Sequence, residues 1–334
     1  MFNKIIYFGY YLKSTNWKEF RGFVNHVQKT TGRSRPSILQ DVMTSSFKYK
    51  IAFIDYFYFR FYEKDAEARK SYAGTGYMYE YQLKMNPRKY RDVLNDKWLF
   101  LKHFSKYIHH AYFELQELKK DPDKIKRILE QPQGKFVIKA RDGQCGREVR
   151  VFGSKDKTPA DVLQLMELHG LDLLEEYLVQ HQDLRRLSDS GLNTVRVFTQ
   201  LDESGNVHIL GVRLRITVNS HVDNLAAGNL AAPVDDETGI VTGPAVYSNI
   251  TKNTETHHPI TGTEIVGFQI PCWQALKKMV TEAATDMVEN RSIGWDVVVT
   301  DSGPELLEGN HNWCKLLWQL PVQRGLKKEI EGYL

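Results

Sequence analysis

Cysteine is scarce in this chain of 334 residues, which contains only Cys145, Cys272 and Cys314. Three cysteines far apart form neither a disulfide framework nor a paired CxxC metal site, a pattern typical of a reducing compartment. The sequence also lacks an uncharged run of the roughly 18 or more residues that a membrane-spanning helix requires. The apolar stretch at its start, residues 1–13, has no small-residue cleavage site. We therefore expect no signal peptide and a cytoplasmic protein.

Several motifs of known chemistry are missing as well. The P-loop order GxxxxGK[ST] does not occur, and no HxxxH or HExxH spacing indicates a zinc site. The net charge of +4 is modest and no RNA- or DNA-binding motif is present, so we expect no nucleic-acid partner. Hydrophobic residues make up 42% and charged residues 26% of the chain, which is ordinary for a globular protein.

Basic residues are concentrated in the first third of the chain. Residues 1–97 carry 18 lysines and arginines against nine acidic residues, whereas the remainder carries 27 against 32. This excess is consistent with an anionic partner such as phosphate, an acidic glycan or a membrane surface. It is equally consistent with an unevenly charged surface that binds nothing.

Residues 1–95 have the pattern of a mainly helical region. Apolar side chains recur at helical spacing between residues 17 and 32, with Asn16 as a predicted N-cap and Gly32 as a stop. Residues 47–62 contain nine aromatic residues in sixteen positions. This density favours a segment of the hydrophobic core, and the alternative is a platform for a sugar or lipid surface.

From about residue 134, short apolar runs alternate with turns and helices. One predicted helix begins with Thr158 as cap and Pro159 in its first turn. Residues 193–201 and 208–218 are two apolar runs joined by a polar turn, which predicts a β-hairpin. Because the strands cluster rather than alternate strictly with helices, the sequence predicts an α+β fold with antiparallel sheets.

A second predicted hairpin near the C-terminus is the most informative segment. Asp296 lies on an apolar strand, and after a Ser-Gly-Pro turn the next strand carries Glu308 and Asn310. Side chains two residues apart on a strand share a face, and an antiparallel partner can place Asp296 beside them. Two carboxylates and an amide oxygen suit Mg²⁺, which often takes one or two carboxylates plus substrate phosphates. A hairpin with ordinary outward-facing polar residues is the alternative.

A glycine-containing loop joins two predicted strands in residues 136–152, FVIKARDGQCGREVRVF. Lys139 ends the first strand, and Gly143 and Gly146 lie in the loop. Glycines let backbone amides approach phosphate oxygens closely, and the lysine adds positive charge. Two glycines in a hairpin turn also occur without any function.

Residues 173–178 form a third segment, in which an apolar strand runs into a pair of carboxylates. Glu175 and Glu176 are followed by Tyr177 and Leu178. Such an edge can offer backbone groups and a carboxylate to the amino group of adenine, with the tyrosine and leucine against the ring. A strand that ends in solvated glutamates is the alternative.

In this order, and together with Lys97, these segments resemble the ATP-grasp superfamily over about residues 96–320. The Glu-x-Asn pair with an aspartate across the hairpin is the most specific element of the resemblance. Further stretches are similar to the sugar-transfer associated ATP-grasp proteins, a group linked to surface polysaccharide genes. They are YFYFRFY at 56–62, LNTVRVFT at 192–199, VDNLAAGN at 222–229 and IGWDVVVTDSGPELLEGNHNW at 293–313.

The resemblance implies an ATP-grasp fold, in which two α+β subdomains enclose Mg-ATP. We expect a helical, aromatic-rich region at 1–95 that takes part in acceptor binding, followed by an ATP-grasp domain at 96–334. Within that domain, residues 96–180 would form the lid subdomain and residues 181–334 the metal and substrate subdomain.

The resemblance also implies a set of site residues. Contacts to the nucleotide are expected from Lys97, Lys139, Gly143, Gly146, Glu175, Glu176, Tyr177, Leu178, Gln182 and Asp183. Mg²⁺, with Mn²⁺ as an alternative metal, would be held by Asp296, Glu308 and Asn310.

The resemblance implies a reaction through an acyl phosphate, and the oxygens of that intermediate need a further cation. The D-alanine ligase branch has an arginine two residues before the metal aspartate, where this chain has Gly294. The candidates here are Arg196, Arg213 and Arg215. They lie on strands between residues 173–178, the adenine segment, and the predicted hairpin that carries Asp296, Glu308 and Asn310, the metal hairpin. Arg213 and Arg215 share a strand face, and paired guanidinium groups suit carboxylate or phosphate. A salt-bridged outer face is the alternative.

The function implied is a Mg-ATP-dependent carboxylate–amine ligase that works through an acyl phosphate. Its partners would be a small-molecule or glycan-linked carboxylate, such as a sugar acid in surface polysaccharide biosynthesis, and an amine. Peripheral contact with a membrane or a lipid-linked glycan is compatible with the basic first third. The alternatives are an ATP-dependent phosphotransferase acting on a sugar-like hydroxyl and a non-catalytic ATP-binding regulatory protein.

Overall fold

The structure, a computed structural model, describes residues 2–142, 149–221 and 223–334, with side chains from residue 8 onward. The first hundred residues are mainly helical, as predicted. The helices are α1 (Phe2–Ser14), α2 (Trp17–Thr31), α3 (Arg35–Tyr49), α4 (Phe53–Tyr58), α5 (Ala66–Lys70), α6 (Thr75–Met85), α7 (Asp92–Asn95) and α8 (Lys97–His103). Short 3-10 turns lie at Phe61–Glu63, Arg88–Tyr90 and Ser105–Tyr107.

Local signals in the sequence set the ends of α2. The Asn16 side chain accepts hydrogen bonds from the backbone of Lys18 and Glu19 at 3.2 and 3.3 Å, and so satisfies two free N–H groups. Gly32 ends the helix with φ of 71°, a conformation that favours glycine. Both predictions for this helix are confirmed.

The aromatic segment 47–62 belongs mainly to the core of the helical region. Its buried aromatic side chains are Phe53, Tyr56, Phe57, Phe59 and Phe61. They pack against apolar residues of α2 and α3, among them Phe20, Phe23, Val27 and Ile38. The prediction that this segment belongs mainly to the hydrophobic core is therefore confirmed, in preference to the alternative of a platform for a sugar or lipid surface.

A four-stranded antiparallel sheet follows, with strand order β1-β4-β2-β3. Its strands are β1 (Tyr112–Glu114), β2 (Lys135–Lys139), β3 (Val149–Gly153) and β4 (Leu173–Glu176). One face is covered by α9 (Leu115–Lys120), α10 (Asp123–Leu129) and α11 (Pro159–His169). The predicted cap of α11 is present, because Thr158 and Asp161 form a capping box.

The larger sheet has five antiparallel strands in the order β7-β6-β5-β8-β9. Its strands are β5 (Val195–Leu201), β6 (Val207–Ile216), β7 (Leu230–Val234), β8 (Ser292–Thr300) and β9 (Gly303–Asn310). The remaining helices are α12 (Gln182–Leu187), α13 (Trp273–Thr285), α14 (Lys315–Gln319) and α15 (Lys328–Glu331), with a 3-10 turn at Leu225–Ala227.

The two faces of the larger sheet have different roles. Helix α13 packs on the apolar face, where Val197, Trp295 and Val297 belong to one core. On the other face, Phe198 shares a second core with residues of α6, α14 and α15. The helical region and the larger sheet are therefore joined by a shared core. Polar residues on this second face of the sheet lie between the sheet and the helical region.

The architecture is thus the predicted α+β fold with antiparallel sheets and a helical, aromatic-rich N-terminal region. Among the described residues, no helix is long and apolar enough to cross a membrane.

Candidate active site

The C-terminal hairpin brings the three predicted metal ligands together. In the β8–β9 register, Asp296 lies opposite Glu308 and Gly294 lies opposite Asn310. The Asn310 amide donates a hydrogen bond to Glu308 Oε1 at 3.1 Å. All three side chains therefore lie on one face of the sheet, as the sequence predicts.

A β-bulge next to these residues changes the alternation of β9. Asp296 pairs with Glu308, but the next residue, Val297, pairs with Leu306, so Leu307 is an extra residue in the strand. Because of this insertion, Glu305 and Glu308 face the same side although they are three residues apart. A regular strand would place them on opposite faces.

Two arginines from neighbouring strands enclose Asp296. Arg196 binds it with two hydrogen bonds, Nε to Oδ1 at 2.5 Å and Nη2 to Oδ2 at 2.7 Å. Arg215 Nη1 lies 3.0 Å from Oδ2, and its Nη2 lies 2.7 Å from Asp223 Oδ1. Burial raises the pKa of Asp296, but the two guanidinium groups outweigh this and hold that pKa well below its usual range. The carboxylates in turn fix the orientation of both arginines.

The pKa of Glu308 shifts in the opposite direction from that of Asp296. Burial and the adjacent charge of Asp296 raise the pKa of Glu308. Two carboxylates this close repel each other, and a divalent cation relieves that repulsion. The donors present, Glu308 and Asp296 with the amide oxygen of Asn310, therefore fit Mg²⁺ chemically. Within the described residues no group of three or more His, Cys, Asp or Glu side chains could hold a metal, so this site would depend on the amide and on substrate phosphates.

Arg213 lies apart from this cluster. Its Nε donates to the main-chain carbonyl of Trp318 at 3.1 Å, and Nη2 contacts the same oxygen. Burial lowers the pKa of Arg213 to about 9. Although it shares a strand face with Arg215, its guanidinium caps a carbonyl of α14. The structure does not bring these two arginines together as an anion-binding pair.

On the smaller sheet, Lys139 is held by a buried chain of charged groups. Its ammonium group forms an ion pair with Glu175. The same carboxylate oxygen, Glu175 Oε2, lies 3.4 Å from His110 Nε2, an ion-pair contact in which no hydrogen bond forms. His110 Nδ1 lies 2.7 Å from Glu305 Oε2 on the large sheet. The chain of contacts thus links the two sheets.

The charged groups in this series of contacts stabilise one another. Burial lowers the pKa of His110, but Glu175 and Glu305 outweigh it and raise that pKa to about 9. Burial likewise opposes the charged form of Glu175, yet Lys139 and His110 lower its pKa to about 2. Sequence reasoning missed His110 and Glu305, because the bulge that brings Glu305 to this face leaves no mark in the sequence.

The remaining adenine-segment residues lie where the chain leaves the smaller sheet. The Glu176 N–H donates to the Ala111 carbonyl at 2.8 Å, and the Glu176 carboxylate accepts from the Ala111 N–H at 3.2 Å. The ammonium group of Lys135 lies 5.1 Å from the centre of the Tyr177 ring. Leu178 follows β4, and two residues later Gln180 bridges to Thr300 of β8.

Gln182 and Asp183 lie by the turn of the β8–β9 hairpin. The Gln182 N–H donates to Asp301 Oδ1 at 3.1 Å, and Asp183 pairs with Arg186. At about 3.3 Å per residue, the four residues from Asp296 to Thr300 span about 13 Å. These two residues are thus not beside the metal ligands. Gly143 and Gly146, the predicted lid glycines, lie outside the described residues.

A cavity of about 400 Å³ opens onto the metal hairpin. Five of the predicted site residues line it: Lys97, Arg196, Arg215, Glu308 and Asn310. The helical region contributes Glu19 and Tyr58 to its wall. These two residues lie 177 and 138 positions before Arg196, and the sequence pattern singled out neither of them individually as a site residue.

A family model described as sugar-transfer associated ATP-grasp matches residues 77–332, about three quarters of the chain. No curated protein matches the sequence significantly.

Several solved structures match parts of the chain. The biotin carboxylase domain of 2-oxoglutarate carboxylase from Hydrogenobacter thermophilus, in complex with MgADP, ADP and bicarbonate, is 15% identical over 70% of this chain and 46% of that chain, with a TM-score of 0.41. The L-amino acid ligase of Bacillus licheniformis is 12% identical over 71% and 48%, with a TM-score of 0.40. The ATP-grasp ligase PsnB, in complex with Mg and ADP, is 12% identical over 75% and 60%, with a TM-score of 0.43. The chain thus spans about half the length of these proteins.

Proposed function

Because the chain belongs to the sugar-transfer associated ATP-grasp family, we propose that it is a Mg-ATP-dependent ligase that joins a carboxylate to an amine. The observation that carries the proposal is a single cavity in which Arg196 and Arg215 lie beside Glu308 and Asn310. This arrangement suits a carboxylate and a phosphoryl group held at the same point. The carboxylate is a sugar acid or a related acceptor used in surface polysaccharide biosynthesis.

The proposed reaction has two steps. The substrate carboxylate attacks the γ-phosphate of ATP, which gives an acyl phosphate and ADP. The amine then attacks the acyl carbon and displaces phosphate, and the nitrogen loses a proton as the amide forms. No side chain has to act as a covalent nucleophile, so the protein contributes orientation and stabilisation of charge.

Each residue has a separate role in this scheme. Lys97 and Lys139 contact the phosphates, and Arg196 and Arg215 stabilise the oxygens of the acyl phosphate. Glu308 and Asn310 would hold Mg²⁺ together with Asp296, which also orients both arginines through its ion pairs. When bound there, the metal would supply neutralisation of charge on the transferred phosphoryl group.

Gln182 and Asp183 fit the same scheme at the far end of the nucleotide. An extended nucleotide whose phosphates lie at Asp296 would carry its ribose and adenine towards the hairpin turn. The separation of about 13 Å along β8 supports this orientation, with Glu176, Tyr177 and Leu178 near adenine.

A screen of ADP release tests the proposal. Wild-type protein is incubated with Mg-ATP and pools of uronic acids, amino acids and amines, and products are identified by mass spectrometry. A ligase gives ADP, free phosphate and a new amide, whereas a kinase leaves the phosphate on the acceptor.

The variants Glu308→Gln and Asn310→Ala should lower the rate on the order of 100-fold or more, because a catalytic metal supplies several kcal/mol of charge stabilisation. Glu289→Gln, at an exposed position four residues after the end of α13, is the matched control. Circular dichroism checks that each variant is folded. Full activity of the Glu308 variant would contradict the metal assignment.

A further inference from the structure

The cavity above the metal hairpin has walls of opposite charge. One wall belongs to the ATP-grasp part of the chain and is cationic on balance, since it carries Lys97, Arg196 and Arg215 against the single carboxylate of Glu308. The other wall comes from the helical region and carries the carboxylate of Glu19 with the hydroxyl group of Tyr58. The proposed function accounts for the cationic wall and leaves the anionic one without a role.

Glu19 is held in place by its own helix and by one neighbour. It lies in the first turn of α2, directly after the Asn16 cap, where a negative charge is favourable. Its side chain is half-buried, and Oε1 accepts a hydrogen bond from the Tyr58 hydroxyl at 3.1 Å. Burial and the charge of Glu19 raise the pKa of Tyr58, so the phenol remains a donor.

Glu19 has no cationic partner within 4.0 Å among the described residues, whereas Asp296 and Asp223, carboxylates of the same region, are both paired with arginine. A half-buried carboxylate is stabilised strongly by a cation that donates hydrogen bonds to it. One carboxylate and one hydroxyl are too few oxygen ligands for Ca²⁺ or Mg²⁺, which take six or more. They are sufficient for an ammonium group, which donates three hydrogen bonds.

We propose that Glu19 and Tyr58 form the binding site for the amine substrate and recognise it as a primary ammonium group. This inference rests on the proposed ligase function and adds the site and charge of the second substrate. The carboxylate then binds at the arginine wall and the ammonium group at the Glu19 wall of the same cavity. There the ammonium group gives one proton to the Glu19 carboxylate, and the resulting free amine attacks the acyl carbon. Both Glu19 and Tyr58 lie outside the family match at 77–332, so the choice of amine is made by a part of the chain that the family match does not cover.

Titration calorimetry of the full chain saturated with Mg-ADP tests this site. The probes are ethanolamine, putrescine and glucosamine, each compared with its N-acetylated form, in which the cation is removed. We expect at least one amine to bind wild-type protein and its acetylated form to bind at least tenfold more weakly.

Glu19→Gln should weaken binding of that amine roughly 10- to 100-fold, since a charge-assisted hydrogen bond is replaced by a neutral one. Glu67→Gln, at an exposed glutamate of the same helical region, should leave it unchanged. Tyr58→Phe keeps the ring and removes the hydroxyl, and should weaken binding by a smaller factor, about three- to tenfold. This variant keeps the inference testable if Glu19→Gln does not fold.

Failure of this inference is distinguishable from failure of the ligase proposal. Binding of Mg-ADP and acceptor-dependent ADP release by wild-type protein test the ligase proposal without involving Glu19. If those hold, the amine site is refuted when none of the three amines binds, when Glu19→Gln binds them as tightly as wild type, or when the acetylated forms bind equally well.

Discussion

Replacement of His110 by glutamine should destabilise the protein, because His110 is the buried cation between the two sheets. Its ring lies 2.7 Å from Glu305 and 3.4 Å from Glu175. Its side chain is only 1% exposed, so solvent screens these contacts little. Glutamine keeps a similar volume and hydrogen-bonding groups but removes the charge. Loss of one partner from a buried ion pair typically costs about 3–5 kcal/mol.

The pH dependence gives a sharper test than stability at a single pH. The pKa of His110 rises from an ordinary value of 6.5 to about 9 in the folded protein. A raised pKa means that the folded state binds the proton more tightly, so the contribution is complete below pH 6.5 and is lost as the pH rises through 9. At about 1.4 kcal/mol per pKa unit, the stabilisation at stake is about 3 kcal/mol.

Urea unfolding at several pH values between 6 and 10 measures this contribution directly. The free energy of unfolding of wild-type protein should fall by about 3 kcal/mol more than that of His110→Gln across this range. Titration of other groups cancels in the comparison, since both proteins contain them. His109→Gln, at the exposed neighbouring histidine, is the matched control and should follow wild type. If the free energy of unfolding depended on pH equally in wild type and His110→Gln, His110 would not be the buried cation between the two sheets.

Two further substitutions test other parts of the structure. Lys139→Ala should weaken binding of Mg-ADP about 10- to 100-fold in titration calorimetry, because it removes the proposed phosphate contact, which would contribute about 1.5–3 kcal/mol; unchanged affinity would contradict the proposed place of Lys139 in the nucleotide site. Lys315→Met leaves the buried carboxylate of Asp55, 2.9 Å from the lysine ammonium group, without its cation and should cost about 3–5 kcal/mol in urea unfolding. The exposed control Lys328→Met should unfold like wild type, and equal stability of both variants would show that the buried pair contributes nothing.

Much of the fold follows from local patterns in the sequence. The N-cap at Asn16 and the stop at Gly32 fix a helix through groups within a few residues, so its ends could be predicted. Alternation and a turn-forming segment identified the β8–β9 hairpin and placed Asp296 opposite Glu308. Strand periodicity fixes which residues share a face, and this is all that the metal-ligand prediction required.

Other features depend on where a strand departs from regularity or where a long side chain turns. The bulge at Leu307 moves Glu305 to the face of Glu308, and only then can it reach His110. Arg213 and Arg215 share a face as expected, yet a carbonyl of α14 draws one guanidinium away while two aspartates hold the other. Strand alternation gives the direction of a side chain and not the position of its charged end.

By itself, the sequence determined the α+β class, the ends of its well-capped helices, and the hairpin that places Asp296, Glu308 and Asn310 on one face. Each of these depends on neighbours along the chain or on a spacing of a few residues. Tertiary structure alone decided that His110 bridges the two sheets and that Glu19 and Tyr58 complete the wall of the cavity. Those contacts join residues far apart in sequence. The bulge at Leu307 brings Glu305 to His110, and packing of the helical region against the second face of the large sheet brings Glu19 and Tyr58 to the cavity.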